Sequence, residues 1–579
     1  MATGLHGRRA RRTRLAEPRR RLAAPVGRRG ALGLTVAALA AAITATSLLS
    51  AAPQAQEPFD LVIVGGRLVD GTGNAWTHAD IGMRGERIAA ITPPGMLTGA
   101  AAVRTIDAAG LVVAPGFIDI QGHSRHAFLE GDGRVISKVT QGITTEIMGE
   151  GTTNAPGADF RGPRAFDEWL QAMQAHGASP NFGSFLGGSS VRRWVMGEAQ
   201  GAPDAQQLAQ MRALVRNAMR DGAFGIATAL VYPPGNFATT EELIAMAQEM
   251  APHGGLYISH LRSEADTFIE ALEEAMRIGR EGGVPVEIYH LKAAGQRNWG
   301  KAREAIAMID AARAAGQDVS ANMYPYTAGS TGLVACMPPW ASADGKLYDN
   351  LADPDMRARI RAEILHQQTE WENFCALAGP EGVLILRFGK EENARWAGMY
   401  LADIATQTGK DWVDALIDLI VSEGGSDPGT IYFLMSEDNV RLQLAQPWIK
   451  FGTDAGGVDP AASGVLTHPR SYGTFPRILG RYVRDEGVLP LEEAIRKMTS
   501  AVASRLSIGE RGLLREGWFA DVVVFDPQTV GDLATYEQPH QVSRGIEWVI
   551  VNGTVVVRDG QHTGELPGRI VRGPGYQPQ

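Results

Sequence analysis

In the central part of the chain, apolar positions fall in short continuous runs, and each run stops on a polar group. PGFIDIQGH stops at His123, LYISH at His260, PVEIYH at His290, WIKFGTD at Asp454 and ITTEIMGE at Glu150. Runs of this kind, bounded by glycines and polar residues, predict strands buried on both faces. Between several of them the apolar period becomes that of a helix. QLAQMRALVRNAMRDG, ADTFIEALEEAMRIGREGG and AREAIAMIDAARAAG stop at Gly222, at Gly282-Gly283 and at Gly316, and glycine is the residue that most readily ends a helix. Strand, helix, strand in this order predicts parallel βαβ units. From 114 to about 507 these units predict an α/β fold, a (β/α)8 TIM-like barrel whose C-terminal strand ends converge on one mouth. His123, Glu150, His260, His290 and Asp454 would meet there.

Both ends of the chain follow a different pattern. Residues 56–113 hold strand-like runs separated by turn signals (FDLVIVGG, ADIGMRGERIAAI, VRTIDAAGLVV), and 508–579 repeat it (FADVVVFDP, IEWVIVNGTVVVRDG). The two segments predict one small β-sandwich built from both chain ends. Residues 333 to about 425 are more helical and charged (DPDMRARIRAEILHQQTEWENF) and predict a helical subdomain inserted near the mouth.

With 44% hydrophobic and 21% charged residues, the composition is that of a folded globular chain. Residues 1–55 stand apart. Ten arginines between 8 and 29 precede an apolar run from Ala31 to Leu49, then small residues. This is the order of an export signal, with an uncleaved anchor as the rival. Arg28-Arg29 hints at the twin-arginine route. The expected location is therefore exported, periplasmic or extracellular, with no stable membrane association once the signal is removed. Without this segment the formal net charge of −9 becomes −18, which argues against a nucleic-acid partner. The two cysteines, Cys336 and Cys375, could pair but make no disulfide framework. Oligomeric state is not legible.

The candidate ligands differ in strength. His260 and His290 are buried strand-end imidazoles, which suit zinc when a carboxylate completes the set and one position stays open. Asp454, before two glycines, could carry a proton between an attacking water and a leaving amine. Glu150 lies in MGEGTT, where a glutamate could equally be a loop residue. For His123, the strand partner two positions back is Gln121, a neutral and weak metal ligand. His123 could thus be a ligand or a hydrogen-bonded strand-end histidine, and His126 is a loop alternative.

APGFIDIQGHS, QGITTEIMGEG, SHLRSE, YHLKAAG, NMYPYTAGSTGL, TDAGG and HPRSYGTFPRILG together resemble the amidohydrolase superfamily and, within it, the N-acyl-D-amino-acid deacylases. The resemblance covers nearly all of the chain after the signal. It implies a barrel with a β-sandwich, a zinc held by His260 and His290, and Asp454 as the catalytic aspartate. It further implies Lys292 and Tyr324 as grips for the substrate carboxylate, with Arg262 beside them, and places His468, Arg470, Tyr472 and Arg477 near the mouth. Many members supply a cysteine from a GNCG-like loop as third ligand; the shorter GEG here aligns Glu150 with it. Gln121 replaces the first histidine of a His-x-His pair, and Arg125 replaces the usual acid beyond it. Both departures weaken a second metal site, so the expectation is one tightly bound zinc, with His123 at the weaker second position. Arg125 could also read an acidic substrate.

The reaction implied is hydrolysis of the amide bond of a small N-acyl amino acid, of the D series, by metal-activated water. Two other readings stay open: another metal-dependent C–N hydrolase acting on a cyclic imide, cyclic amide or dipeptide, and a non-catalytic scaffold that kept the fold.

Overall fold

The computed structural model describes residues 57–366, 370–461 and 464–578. The basic and apolar leader expected over 1–55 lies outside them. Among the described residues, no helix is long and apolar enough to cross a membrane.

Eight parallel strands form the barrel: Phe117–Asp119, Ile143–Met148, Asn181–Ser184 continued by Leu186–Gly187, Gly225–Ala229, Leu256–His260, Val286–Ile288, Val319–Met323 and Ile449–Phe451. All their residues are buried, as expected for strands covered on both faces. The barrel closes where the first and last strands meet. Asp454 N donates to Gln121 O at 2.8 Å and His123 N to Ala455 O at 3.0 Å, so backbone hydrogen bonds set His123 beside Asp454. Helices cover the strands. Ala205–Asp221 starts on a capping box between Asp204 and Gln207 and stops at Gly222, whose φ is +101°. Phe268–Gly282 and Lys301–Ala314 end beside Gly283 and Gly316.

The two chain ends share one β domain. Val522–Phe525 runs antiparallel to Val112–Pro115, which links nine strands from both ends of the chain into a single hydrogen-bonded sheet. The last residues leave it again. Phe182 N donates to Arg569 O and Val571 N to Phe182 O, which lays the C-terminal segment along the third barrel strand.

The insertion is wider than its helical stretch suggested. Between the seventh and eighth strands, Ala328–Gly332, Val383–Arg387 and Gly429–Phe433 form a three-stranded antiparallel sheet, and helices pack on it around a core of its own. Cys336 and Cys375 are joined by a disulfide inside this unit.

Candidate metal and amide-hydrolysis site

The strand ends open into a cavity of about 390 Å³ lined in part by His123, Glu150, His260, His290, Lys292, Tyr324, Asp454 and Arg470. Residues 331 positions apart thus share one wall.

One carboxylate oxygen organises the buried side. Glu150 Oε1 stands 3.2 Å from His290 Nε2 and 3.4 Å from His260 Nδ1. Burial alone would raise the Glu150 pKa, but His290, His123 and His260 around it hold it well below the usual carboxylate range. Donors about 2.0–2.1 Å from a tetrahedral zinc stand about 3.4 Å apart, which both Glu150 contacts match, and all three atoms lie within 4.8 Å of one another. The remaining ring nitrogens face a carboxylate that sequence reasoning left without a role. Glu264 Oε1 is 3.0 Å from His290 Nδ1, and Oε2 is 3.5 Å from His260 Nε2. Glu264 was visible in SHLRSE, four residues after His260, but no strand or helix period points to it. Burial opposes its charge, yet Lys292, His260 and His290 lower its pKa to about 2.

The open side is built differently. His123 Nε2 is 3.0 Å from Asp454 Oδ1 and 3.5 Å from Glu150 Oε2, with its side chain 38% exposed. Gln121 Nε2 donates to Glu150 Oε2 at 2.5 Å. Asp454 Oδ2 forms an ion pair with Arg470, 2.7 Å from Nη1. Burial would raise the Asp454 pKa, but the Arg470 cation and the His123 hydrogen bond bring it to about 2. Both His290 (φ +30°) and Asp454 (φ +51°) have left-handed backbones, a conformation that costs free energy and clusters at functional sites.

Beneath the site lies a buried network absent from the sequence reading. Lys138 Nζ donates to Asp119 Oδ2 at 2.7 Å and to Thr453 Oγ1 at 2.5 Å, while Asp119 Oδ1 accepts from Gln121 N and Thr453 N. Glu146 accepts from Ser124 N and Ser124 Oγ. Together they pin both segments that carry His123 and Asp454. Glycine is required at 122, because a Cβ there would sit 2.1 Å from Glu146 Oε1.

Other expected residues fall as follows. Tyr324 lines the cavity, with the Arg470 guanidinium 4.8 Å from its ring centre. Lys292 also lines it, but its ammonium donates to Glu264 Oε2 at 2.6 Å and lies 2.7 Å from His290 Nδ1. Arg262 is not on this wall. Its guanidinium bonds Glu274, Asn236 O and Ala238 O, because the strand ends at His260 and strand alternation no longer directs the next residues inward. His468 is also displaced from the expected contact. It is buried behind the wall, 3.0 Å from Ala328 O through Nε2, and accepts from Arg470 N, so it positions Arg470. Arg477 bonds Pro325 O and Asp532, and Tyr472 pairs with His540. Arg125 donates to Thr152 O and Oγ1, and His126 is exposed beside Glu130.

Such a fold and strand-end site define a metal-dependent hydrolase of the amidohydrolase type. Two models described as "Amidohydrolase family" match residues 112–323 and 418–557. D-aminoacylase of Alcaligenes xylosoxydans xylosoxydans is 38% identical over 89% of this chain and 98% of its own. A solved D-aminoacylase structure, described by its binuclear metal centre with one-metal activation and second-metal attenuation, is 36% identical with a TM-score of 0.74, covering 89% of this chain and all of its own. The N-acyl-D-glutamate deacylase of Bordetella bronchiseptica, solved with zinc and a phosphonate mimic of the tetrahedral intermediate, is 33% identical at a TM-score of 0.74 over the same shares. The chain belongs to the amidohydrolase family.

Proposed function

We propose that this chain is a zinc-dependent deacylase that hydrolyses the amide bond of N-acyl-D-amino acids. The observation that carries this reading is the placement of Glu150 Oε1 between His260 and His290, with Asp454 across the same cavity. When bound by these three residues, zinc supplies a Lewis acid for the amide carbonyl and makes water acidic near neutral pH. Asp454 takes the proton of the attacking water and hands it to the leaving nitrogen. With a pKa of about 2 it is a weak base, suited only to an acidified water, and once protonated it is a strong acid toward the amine. Arg470 keeps it ionised and oriented. Arg470, Tyr324 and Lys292 supply the cationic, hydrogen-bonding wall for the α-carboxylate, which fixes the face of the amide presented to water. That carboxylate subsite favours an N-acyl amino acid over a cyclic imide or amide, and the complete ligand set favours an enzyme over a scaffold.

The rest of the wall includes Tyr232, Phe374, Tyr432 and Leu434. Among the described residues lining the cavity, Lys292 and Arg470 are the only lysine or arginine. A neutral amino-acid side chain suits this lining, and Arg125, engaged with Thr152, is not placed to read an acidic one. Rates on N-acetyl-D-methionine, N-acetyl-L-methionine and N-acetyl-D-glutamate test both points, with the first expected to exceed the others about 100-fold in kcat/KM. Equal rates on the D and L forms would remove the stereochemical part. We further infer a single tightly bound zinc, because the Gln121 amide already occupies Glu150 Oε2, and export of the chain, which the Cys336–Cys375 disulfide supports. N-terminal sequencing of periplasmic protein checks the latter.

A further inference from the structure

Three cations or imidazoles converge on one buried carboxylate. Glu264 is 1% exposed; it faces His290 Nδ1 with one oxygen, and His260 Nε2 and Lys292 Nζ with the other. Its backbone is tied at both ends of the residue, Glu264 N donating to Glu372 Oε2 at 2.7 Å and Ala294 N to Glu264 O at 2.7 Å. An imidazole that offers one ring nitrogen to a metal must carry its proton on the other. The two rings meet Glu150 through different atoms, His260 through Nδ1 and His290 through Nε2. They therefore need opposite tautomers. In each ring the nitrogen that must be protonated is the one turned toward Glu264, within hydrogen-bond distance for His290 at 3.0 Å and beyond it for His260 at 3.5 Å.

We propose that Glu264 is a positioning residue that sets the tautomer of His290 and, through the same carboxylate, holds Lys292 at the substrate-carboxylate subsite. The inference rests on the zinc-deacylase reading. An ionised carboxylate, which only accepts hydrogen bonds, suits the donors on His290 and Lys292; a glutamine at 264 would turn an N–H toward one of them. Lys292 Nζ lies 2.7 Å from the same His290 Nδ1, but an ammonium only donates and by itself would select the wrong tautomer, so the Glu264 carboxylate that accepts from both groups is what keeps the proton on Nδ1.

The test compares zinc dissociation constants, by chelator competition, for wild type, Glu264→Gln, Lys292→Met and the double variant Lys292→Met/Glu264→Gln. The double variant removes both members of a buried ion pair together, which guards against the instability of a lone buried charge. Zinc binding is expected to weaken about 10- to 100-fold in Glu264→Gln, and by the same factor between Lys292→Met and the double variant. Lys292→Met alone is expected to raise KM while keeping zinc affinity within about threefold of wild type. The visible spectrum of the cobalt-substituted enzyme should change with Glu264→Gln and not with Lys292→Met. A lower Tm in the Glu264 variants with unchanged zinc affinity and an unchanged cobalt spectrum would overturn the proposal in favour of a purely structural carboxylate. Two zinc ions in wild type, falling to one in Glu372→Gln, would overturn it by making Glu264 a ligand alongside His260 and Glu372. A wild type that binds no zinc would bring down the deacylase reading, and this inference with it.

Discussion

The two sides of Glu150 make an instructive contrast. Toward His260 and His290 the donors are buried, evenly spaced about one oxygen, and backed by a second carboxylate in Glu264. Toward His123 and Asp454 the spacing is uneven, His123 is partly exposed, and the neighbouring carboxamide of Gln121 takes the other oxygen. Both sides contain three potential ligands. The difference lies in what stands behind them: ring nitrogens with carboxylate partners on one side, a guanidinium and an amide on the other. The first arrangement favours holding a cation; the second favours moving a proton beside a carboxylate-bearing substrate.

The largest effect should come from the buried side. His290→Ala is expected to remove zinc, read by elemental analysis, and to lower kcat/KM to background. Asp454→Asn breaks the other side while sparing the first. Zinc should remain at one per chain while kcat falls about 10²–10⁴-fold, the range for losing a general acid–base group. Zinc affinity should also depend on pH. Burial and Lys292 oppose charge on His290, but Glu264 and Glu150 outweigh them and raise its pKa to about 9. Below that value the bound proton competes with the metal, so affinity should tighten about tenfold per pH unit as pH rises toward about 9 and then level off. A competition titration between pH 6 and 9 reads this slope. Arg470→Met should raise KM for the acyl amino acid and move the acid limb of kcat/KM upward, because the cation that lowers the Asp454 pKa is gone. The smallest change expected in the protein is Gln121→His, which should add a second, weaker zinc without loss of the first; unchanged stoichiometry would show that the carboxamide is not what limits the open side.

Much of this contrast was legible in the chain. His123, Glu150, His260, His290 and Asp454 each end an apolar run, and parallel strands bring such ends together for reasons of topology alone. Gln121 announced the weaker side by its chemistry. What escaped was set by three-dimensional packing. Glu264 sits beyond a strand end in an irregular segment, so no period marks it. The Asp119–Lys138–Glu146 network pairs charges from separate elements, and each of its members sits in a run that otherwise reads as strand or helix. Arg262 was misplaced because the resemblance set it beside Lys292, whereas the strand ends at His260 and the residues after it turn away from the cavity. The inserted sheet was missed because AGSTG, one of its strands, lacks the β-branched apolar pattern that reveals a strand.

Zinc stoichiometry and kcat/KM on N-acetyl-D-methionine, measured side by side for wild type and Asp454→Asn, bear most directly on the division of labour around Glu150. One zinc in both proteins, with activity lost only in the variant, is the predicted result. Two zinc ions in wild type falling to one in Asp454→Asn would make Asp454 a structural metal ligand and contradict the assignment of the open side to proton transfer.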